Sequence, residues 1–161
     1  MSFPNDRTYS FDINLCLSDA AAALTASGYS QCGGADGLLD LGGNQGVTPT
    51  QFARIDAACV IDITAIDEAS SNETYQFDIM VSNDPAFGAG NIVNAGGIQV
   101  GKGASLRGPV AQADSATGRI ELLWTNQIAG TIYEYAKLYV TMAGTSPSIT
   151  FNAFVAVLPE P

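Results

Sequence analysis

A chain of 161 residues, 47% hydrophobic and only 14% charged, is long enough for one domain with its own core and too apolar for a disordered segment. Its net charge of −10, from 16 acidic and 6 scattered basic residues, leaves no basic track for nucleic acid and disfavours an anionic membrane surface. There is no histidine, which removes the commonest general base near neutral pH, the Ser-His-Asp arrangement and every zinc site of Cys-His type.

Residues 1–14 read as an extended arm. Pro4 blocks an early helix, and Phe3, Tyr9, Phe11 and Ile13 set apolar side chains among polar ones. Tyr9, Phe11 and Ile13 alternate, the pattern of a strand that pairs with a sheet edge, the chain's own or a neighbour's. Residues 1–7 lack the basic region and apolar core of a signal peptide, and no apolar run is long enough to span a bilayer, so synthesis in a cytoplasm is expected. The alanine-rich run Ser18–Ala26 suits either a short helix capped by Ser18 or an extended chain lying flat on another surface. The expected division is an arm with this alanine-rich segment over 1–27 and a β-sandwich over 28–161.

Residues 28–50 carry Gly33-Gly34, Asp36-Gly37, Gly42-Gly43, Gly46 and Pro49, which mark turns around one short strand, Leu38–Leu41. No lysine accompanies these glycines and no strong strand precedes them, so a phosphate-cradling loop is a poor reading of them and turn formation the better one. Ala58–Ile66 is β-rich, with Cys59, Ile61, Ile63 and Ala65 on one face. Thr74–Val81 alternates cleanly, Tyr75, Phe77, Ile79 and Val81 inward and Thr74, Gln76 and Asp78 outward. The two runs, joined by the polar loop 67–73, suggest a hairpin with a long connection. Ser82–Gly88 is turn-rich, with Phe87 as its anchor. Residues 91–110, interrupted by glycines, read as short strands or irregular loops. In 119–125 the inward set is Ile120, Leu122 and Trp124. Ile132–Met142 places tyrosines on one side and Ala136, Leu138 and Val140 on the other, and Ile149–Leu158 closes the sheet with aromatics able to pair across strands. Seven to nine strands fit an antiparallel sandwich.

Chemistry-bearing residues are few. Cys16, Cys32 and Cys59 are each expected as buried free thiols; a Cys16–Cys32 disulfide is the alternative, disfavoured in a reducing compartment. Asp62 and Asp78 are the one carboxylate pair to weigh for hydrolysis, against a role in solubilising an outer sheet face; Glu121 and Glu134 lie in later strands. Asp36, Asp40, Asp67, Glu68 and Asp84 offer loop oxygens for calcium, without EF-hand spacing. The expectation is no catalysis, no cofactor and no metal. Tyr133, Tyr135 and Tyr139 offer a face for a glycan.

The run Leu15-Cys16-Leu17-Ser18-Asp19-Ala20, followed by Leu39-Asp40-Leu41-Gly42, resembles the opening of a family of tailed-phage capsid cement proteins of the Bordetella-phage type. Residues 75–87, Tyr-Gln-Phe-Asp-Ile-Met-Val-Ser-Asn-Asp-Pro-Ala-Phe, are similar to that family's strand and polar loop, and the tail over 139–154 resembles it more. The likeness covers roughly 15–158. It implies an all-β, jelly-roll-like antiparallel β-sandwich with an extended N-terminal arm, and a non-enzymatic protein on the outer virion surface that staples major capsid protein subunits. It also implies a homo-oligomer. We expect a dimer ahead of a trimer, with Phe3, Tyr9, Phe11, Ile13 and Phe87 at partner interfaces and the arm on a neighbouring chain. The longer arm and the two cysteines depart from the family pattern. The alternative is a glycan- or receptor-binding sandwich of a virion appendage.

Overall fold

Alternating side chains bury one face of a strand, so this chain must bring its apolar faces together in pairs. In the computed structural model, which describes residues 12–42, 54–102 and 117–157, it does so with two antiparallel sheets packed face to face. A 3₁₀ turn, Ile13–Leu15, leads into β1 (Cys16–Asp19). Short strands follow: β2 (Gly28–Tyr29), β3 (Gln31–Cys32), β4 (Ala35–Asp36) and β5 (Leu38–Asp40). The long strands are β6 (Asp56–Ile66), β7 (Thr74–Ser82), β8 (Val93–Gly101) and β9 (Gly118–Thr125). After β10 (Gln127–Ile128) and β11 (Thr131–Ile132) come β12 (Tyr135–Ala143) and β13 (Ile149–Val157). One sheet has the order β1-β13-β6-β9; the other has β2-β12-β7-β8, with β5 also on β12. No helix among the described residues is long and apolar enough to cross a membrane.

The core lies between the sheets. Tyr75, Phe77, Ile79, Val81, Leu138 and Val140 from one meet Cys59, Ile61, Leu122, Trp124, Phe151 and Val155 from the other, all buried. Ile120 is half-buried against them. The Tyr75 hydroxyl reaches through the core edge and donates to the Asp67 carbonyl at 2.6 Å, which satisfies its polar end.

Strand pairing differs from the sequence expectation. β6 and β7 are not a hairpin: β6 pairs with β13 and β9, while β7 pairs with β12 and β8. Two neighbouring strands with strongly apolar faces bury more by facing each other across the core than by lying side by side. The loop 67–73 is therefore a crossover, closed by the buried Glu73 carboxylate, which accepts from the Ser70 and Asn72 N–H groups at 3.2 Å each. For the same reason β12 and β13 lie in different sheets, and the aromatic pair they were expected to share is replaced by Phe77 against Phe151 across the core. Ala65, expected inward, is exposed. A bulge opposite Thr150/Phe151 shifts the phase, so that Ile66 packs on the core instead.

The region expected as broken strands contains one nine-residue strand, β8. Its glycines mask the pattern. Gly101 has φ 105°, and a Cβ there would strike the Glu73 carbonyl, so the position takes glycine for both conformation and space.

The alanine-rich run is not a helix, and part of the expected arm belongs to the sandwich. β1 pairs with β13, and Leu24 bridges Ile149. Ser18 donates its hydroxyl to the Phe151 carbonyl at 2.8 Å, so the residue expected as a cap bonds across strands. Cys16 and Cys32 form a disulfide, with Cα atoms 6.3 Å apart; only Cys59 of the three is a buried free thiol. The bridge ties the edge strand β1 to β3, a proximity that their spacing in sequence did not reveal.

Candidate functional site

The alternation that buries Ala136, Leu138 and Val140 pushes Tyr135, Lys137 and Tyr139 to the outer face of the five-stranded sheet. Register places Tyr29 of β2 beside Tyr139. Their rings meet edge to face, centroids 5.0 Å apart. Phe87 comes over the same face from the loop after β7, 6.0 Å from the Tyr29 ring. Lys137 threads this cluster, its Nζ 4.8 Å from the Tyr29 ring centre, 4.9 Å from that of Phe87, and 3.0 Å from Asp36 Oδ2. A cation over two aromatic faces and beside a carboxylate is held on several sides. Burial, then the neighbouring Tyr139 and Asp36, pushes the Tyr29 hydroxyl pKa up.

The loop that delivers Phe87 is built by Asp84. Its carboxylate accepts from Ala86 N at 2.9 Å and Gly88 N at 3.0 Å, and these backbone donors hold its pKa below the usual carboxylate value. Phe87 adopts φ 52°, a conformation rare for a bulky residue, in exchange for burial of its ring. Phe87 was expected at a partner interface; at 7% exposure it is buried against its own chain.

Beside the aromatics lies a polar row. Asp78 is buried on the outer side of β7, and its Oδ1 accepts from Gln76 Nε2 and Asn94 Nδ2, both at 2.9 Å. The strand opposite carries Gly97, where any Cβ would collide with Asp78 Oδ1 and Gln76 Nε2. The face thus offers one fixed carboxylate, two amides and the half-buried Tyr139 opposite Asp78, a set suited to hydrogen bonding and stacking on a ligand.

Comparison with known protein families, with curated proteins and with solved structures finds no match to this chain.

The remaining residues weighed for chemistry are dispersed. Asp62 and Asp78 do not form a pair: Asp62 sits on the outer face of the other sheet, bound by Arg119 Nε at 2.8 Å and Nη2 at 3.0 Å. They lie on opposite outsides of the sandwich and cannot flank one bond. Glu121 is on β9, and Glu134 precedes β12, where its N–H donates to Asn83 Oδ1 at 2.9 Å. The loop carboxylates have separate duties. Asp40 accepts from Gly42 N and Asp67 from Ala69 N, both at 3.0 Å, while Glu68 faces Lys102 at 3.6 Å. Among the described residues no three Asp, Glu or Cys side chains gather as metal ligands.

Of the three tyrosines weighed as a glycan face, Tyr135 and Tyr139 share the outer side while Tyr133 packs toward the core. Near Tyr133, the residues Asn83, Asp84, Gly90, Asn91, Val93 and Thr131 border an open cleft of about 430 Å³. Ile13, at the root of the arm, is 66% exposed; Phe3, Tyr9 and Phe11 lie outside the described residues. Sequence reasoning missed Tyr29, Asn94 and the central place of Lys137. The alternation in β12 already put Lys137 on the tyrosine side; its partners come from distant strands that no local pattern pairs.

Proposed function

We propose that this chain is a structural cement protein: a non-catalytic jelly-roll sandwich that binds the outer surface of a phage capsid shell as a homo-oligomer and staples neighbouring major capsid protein subunits. The observation that carries the reading is the likeness to the cement family over 15–20, 39–42, 75–87 and 139–154, whose strands β1, β5, β7, β12 and β13 are direct pairing partners in the two sheets. A motif that spans both halves of one core is more telling than the same residues scattered. The two packed antiparallel sheets suit a rigid stapling body, and the β1 edge, secured by a disulfide, suits a body loaded through its N-terminal side. The exposed Ile13 at the arm's root offers an apolar contact there, and many copies on one shell would convert a modest contact into a tight coat.

The test is sedimentation of purified protein with capsid shells stripped of decoration. Saturable co-pelleting in an ordered stoichiometry is the expected result. Protein that remains in the supernatant at all concentrations, as a monomer, overturns the reading.

A second reading is a glycan- or receptor-binding module of a virion appendage. The Asp78, Gln76, Asn94 and Tyr139 row favours it, since fixed polar groups beside an aromatic are the usual means of holding a sugar. Titration with a panel of oligosaccharides separates the two: saturable binding abolished by Tyr139→Ala and absence of co-pelleting select this reading.

A further inference from the structure

We propose that the cleft between the loop after β7 and the β10–β11 hairpin is a binding site for a neutral saccharide. Its two walls come from different parts of the sequence. Asn83, Asp84 and Asn91 lie in the connection between β7 and β8, Val93 opens β8, and Thr131 and Tyr133 lie on and just after β11. A hydrogen bond ties the walls together, from Glu134 N–H to Asn83 Oδ1 at 2.9 Å. The fully buried Asn126 fixes the Tyr133 side from behind. Its Nδ2 donates to the Tyr133 carbonyl at 2.9 Å, its Oδ1 accepts from Ile55 N at 2.8 Å, and Tyr133 N–H donates to the Asn126 carbonyl at 2.9 Å. Tyr133 also packs against the main core. The cleft is therefore pre-formed, and its volume of about 430 Å³ is that of a small-ligand site.

The lining decides the class of ligand. The Asp84 carboxylate accepts from Ala86 N, Gly88 N and the Asn91 side chain. A carboxylate offers about four acceptor positions, which leaves room for a hydroxyl from outside. Asn83 uses its Oδ1 on Glu134 and keeps its amide nitrogen as a donor, while the hydroxyls of Thr131 and Tyr133 can both give and accept. Donors and acceptors fixed in one cleft match the neighbouring hydroxyls of a sugar, each of which gives one bond and takes another. Val93 and the Tyr133 ring supply the apolar contact that the C–H face of a sugar ring needs. Among the described residues no lysine or arginine borders the cleft, while Asp84 does, so a carboxylate- or phosphate-bearing ligand would meet repulsion with no cation to offset it. No residue of the Asp78, Gln76, Asn94 and Tyr139 row borders the cleft, so this is a second place on the molecule, and the proposal does not depend on the capsid reading.

The test follows amide shifts of the isotope-labelled full chain during titration with methyl glycosides of glucose, galactose and mannose, with N-acetylglucosamine and with glucuronic acid. At least one neutral sugar is expected to shift the amides of Asn83, Asp84, Asn91, Thr131 and Tyr133 together on one saturating curve, and glucuronic acid is expected to leave them in place. Thr131→Val and Tyr133→Phe each remove one hydroxyl and keep the shape of the wall. Each is expected to weaken that binding about tenfold, the effect of one lost hydrogen bond in a polar site. The shifts in the unaltered protein locate the sugar even where a variant fails to fold. No saturable shift with any of the sugars overturns the proposal, and so does glucuronic acid binding at the cleft more tightly than the neutral sugars. Unchanged affinity in both folded hydroxyl variants also overturns it. Shifts confined to Gln76, Asp78, Asn94 and Tyr139 overturn it as well and assign the sugar to the outer face of the five-stranded sheet.

Discussion

Phe77 of β7 and Phe151 of β13 meet edge to face across the core, ring centroids 5.0 Å apart and planes at 90°. They belong to different sheets, so this contact joins the two halves of the sandwich. Truncating Phe77 to Ala is expected to cost about 3–5 kcal/mol, the usual loss for a buried aromatic. A double-mutant cycle with Phe151→Leu is expected to return a coupling of about 0.5–1.5 kcal/mol. Urea unfolding of the four proteins checks both; a coupling of zero would remove the rings' specific contribution and leave burial alone.

The Cys16–Cys32 disulfide closes a short loop over a sequence separation of 16. Loop-closure entropy gives such a bridge about 3 kcal/mol. Reduction, or Cys16→Ala/Cys32→Ala, is expected to lower the melting temperature while leaving Cys59 inaccessible to thiol reagents in the folded protein. Thiol counting under native and denaturing conditions, beside calorimetry, decides this; equal melting temperatures with and without reductant would count against it.

Stability is expected to fall on the alkaline side. Burial raises the Cys59 thiol from 9.0 to about 12, and it also raises the Tyr75 and Tyr29 hydroxyls above 10.0. In each case the folded state favours the neutral form and the unfolded chain ionises first. The associated stability is therefore complete below the unfolded values and is lost as pH climbs from about 9 through the folded values. Denaturation midpoints measured from pH 7 to pH 11.5 should decline above pH 9, and Cys59→Ala should flatten part of the slope. A level profile to pH 11 contradicts the assignment.

Gly97 leaves the space that Asp78 and Gln76 occupy on the outer face. Gly97→Ala is expected to destabilise by about 1–3 kcal/mol, the range for forcing an extra carbon into a filled space, and to break the Asp78–Asn94 hydrogen bond. Asp78→Asn at the same time should recover little, since the clash is steric. A neutral Gly97→Ala in chemical denaturation would show that the amide row shifts freely.

The inward faces were legible in the sequence wherever alternation was uninterrupted. Tyr75, Phe77, Ile79, Val81, Leu122, Trp124, Leu138 and Val140 are all buried as their period of two implies. Ala65 was misplaced because one bulge residue inverts every later side chain, and nothing local marks a bulge. The partners of β6 and β7 were illegible for a different reason: alternation fixes which face is apolar, not which strand lies beside it. The outer site was half legible. Lys137 could be put on the tyrosine side by counting, but Tyr29, Asp36 and Phe87 reach it from far along the chain. The disulfide was in view only as the alternative to free thiols, because an antiparallel fold, not sequence spacing, brings Cys32 to Cys16.

The bond between Cys16 and Cys32 also defines a path for mechanical tension. A pull on the N-terminal arm reaches Cys16 first, where β1 alone would peel from β13 one hydrogen bond at a time. The covalent link passes part of that tension to β3 and on to Ser30, whose N–H is bonded to the Leu138 carbonyl of β12 at 2.9 Å. Both sheets then share the load, the intervening segment between the cysteines carries little of it, and the strand at the edge becomes an anchor point in place of a zipper's open end.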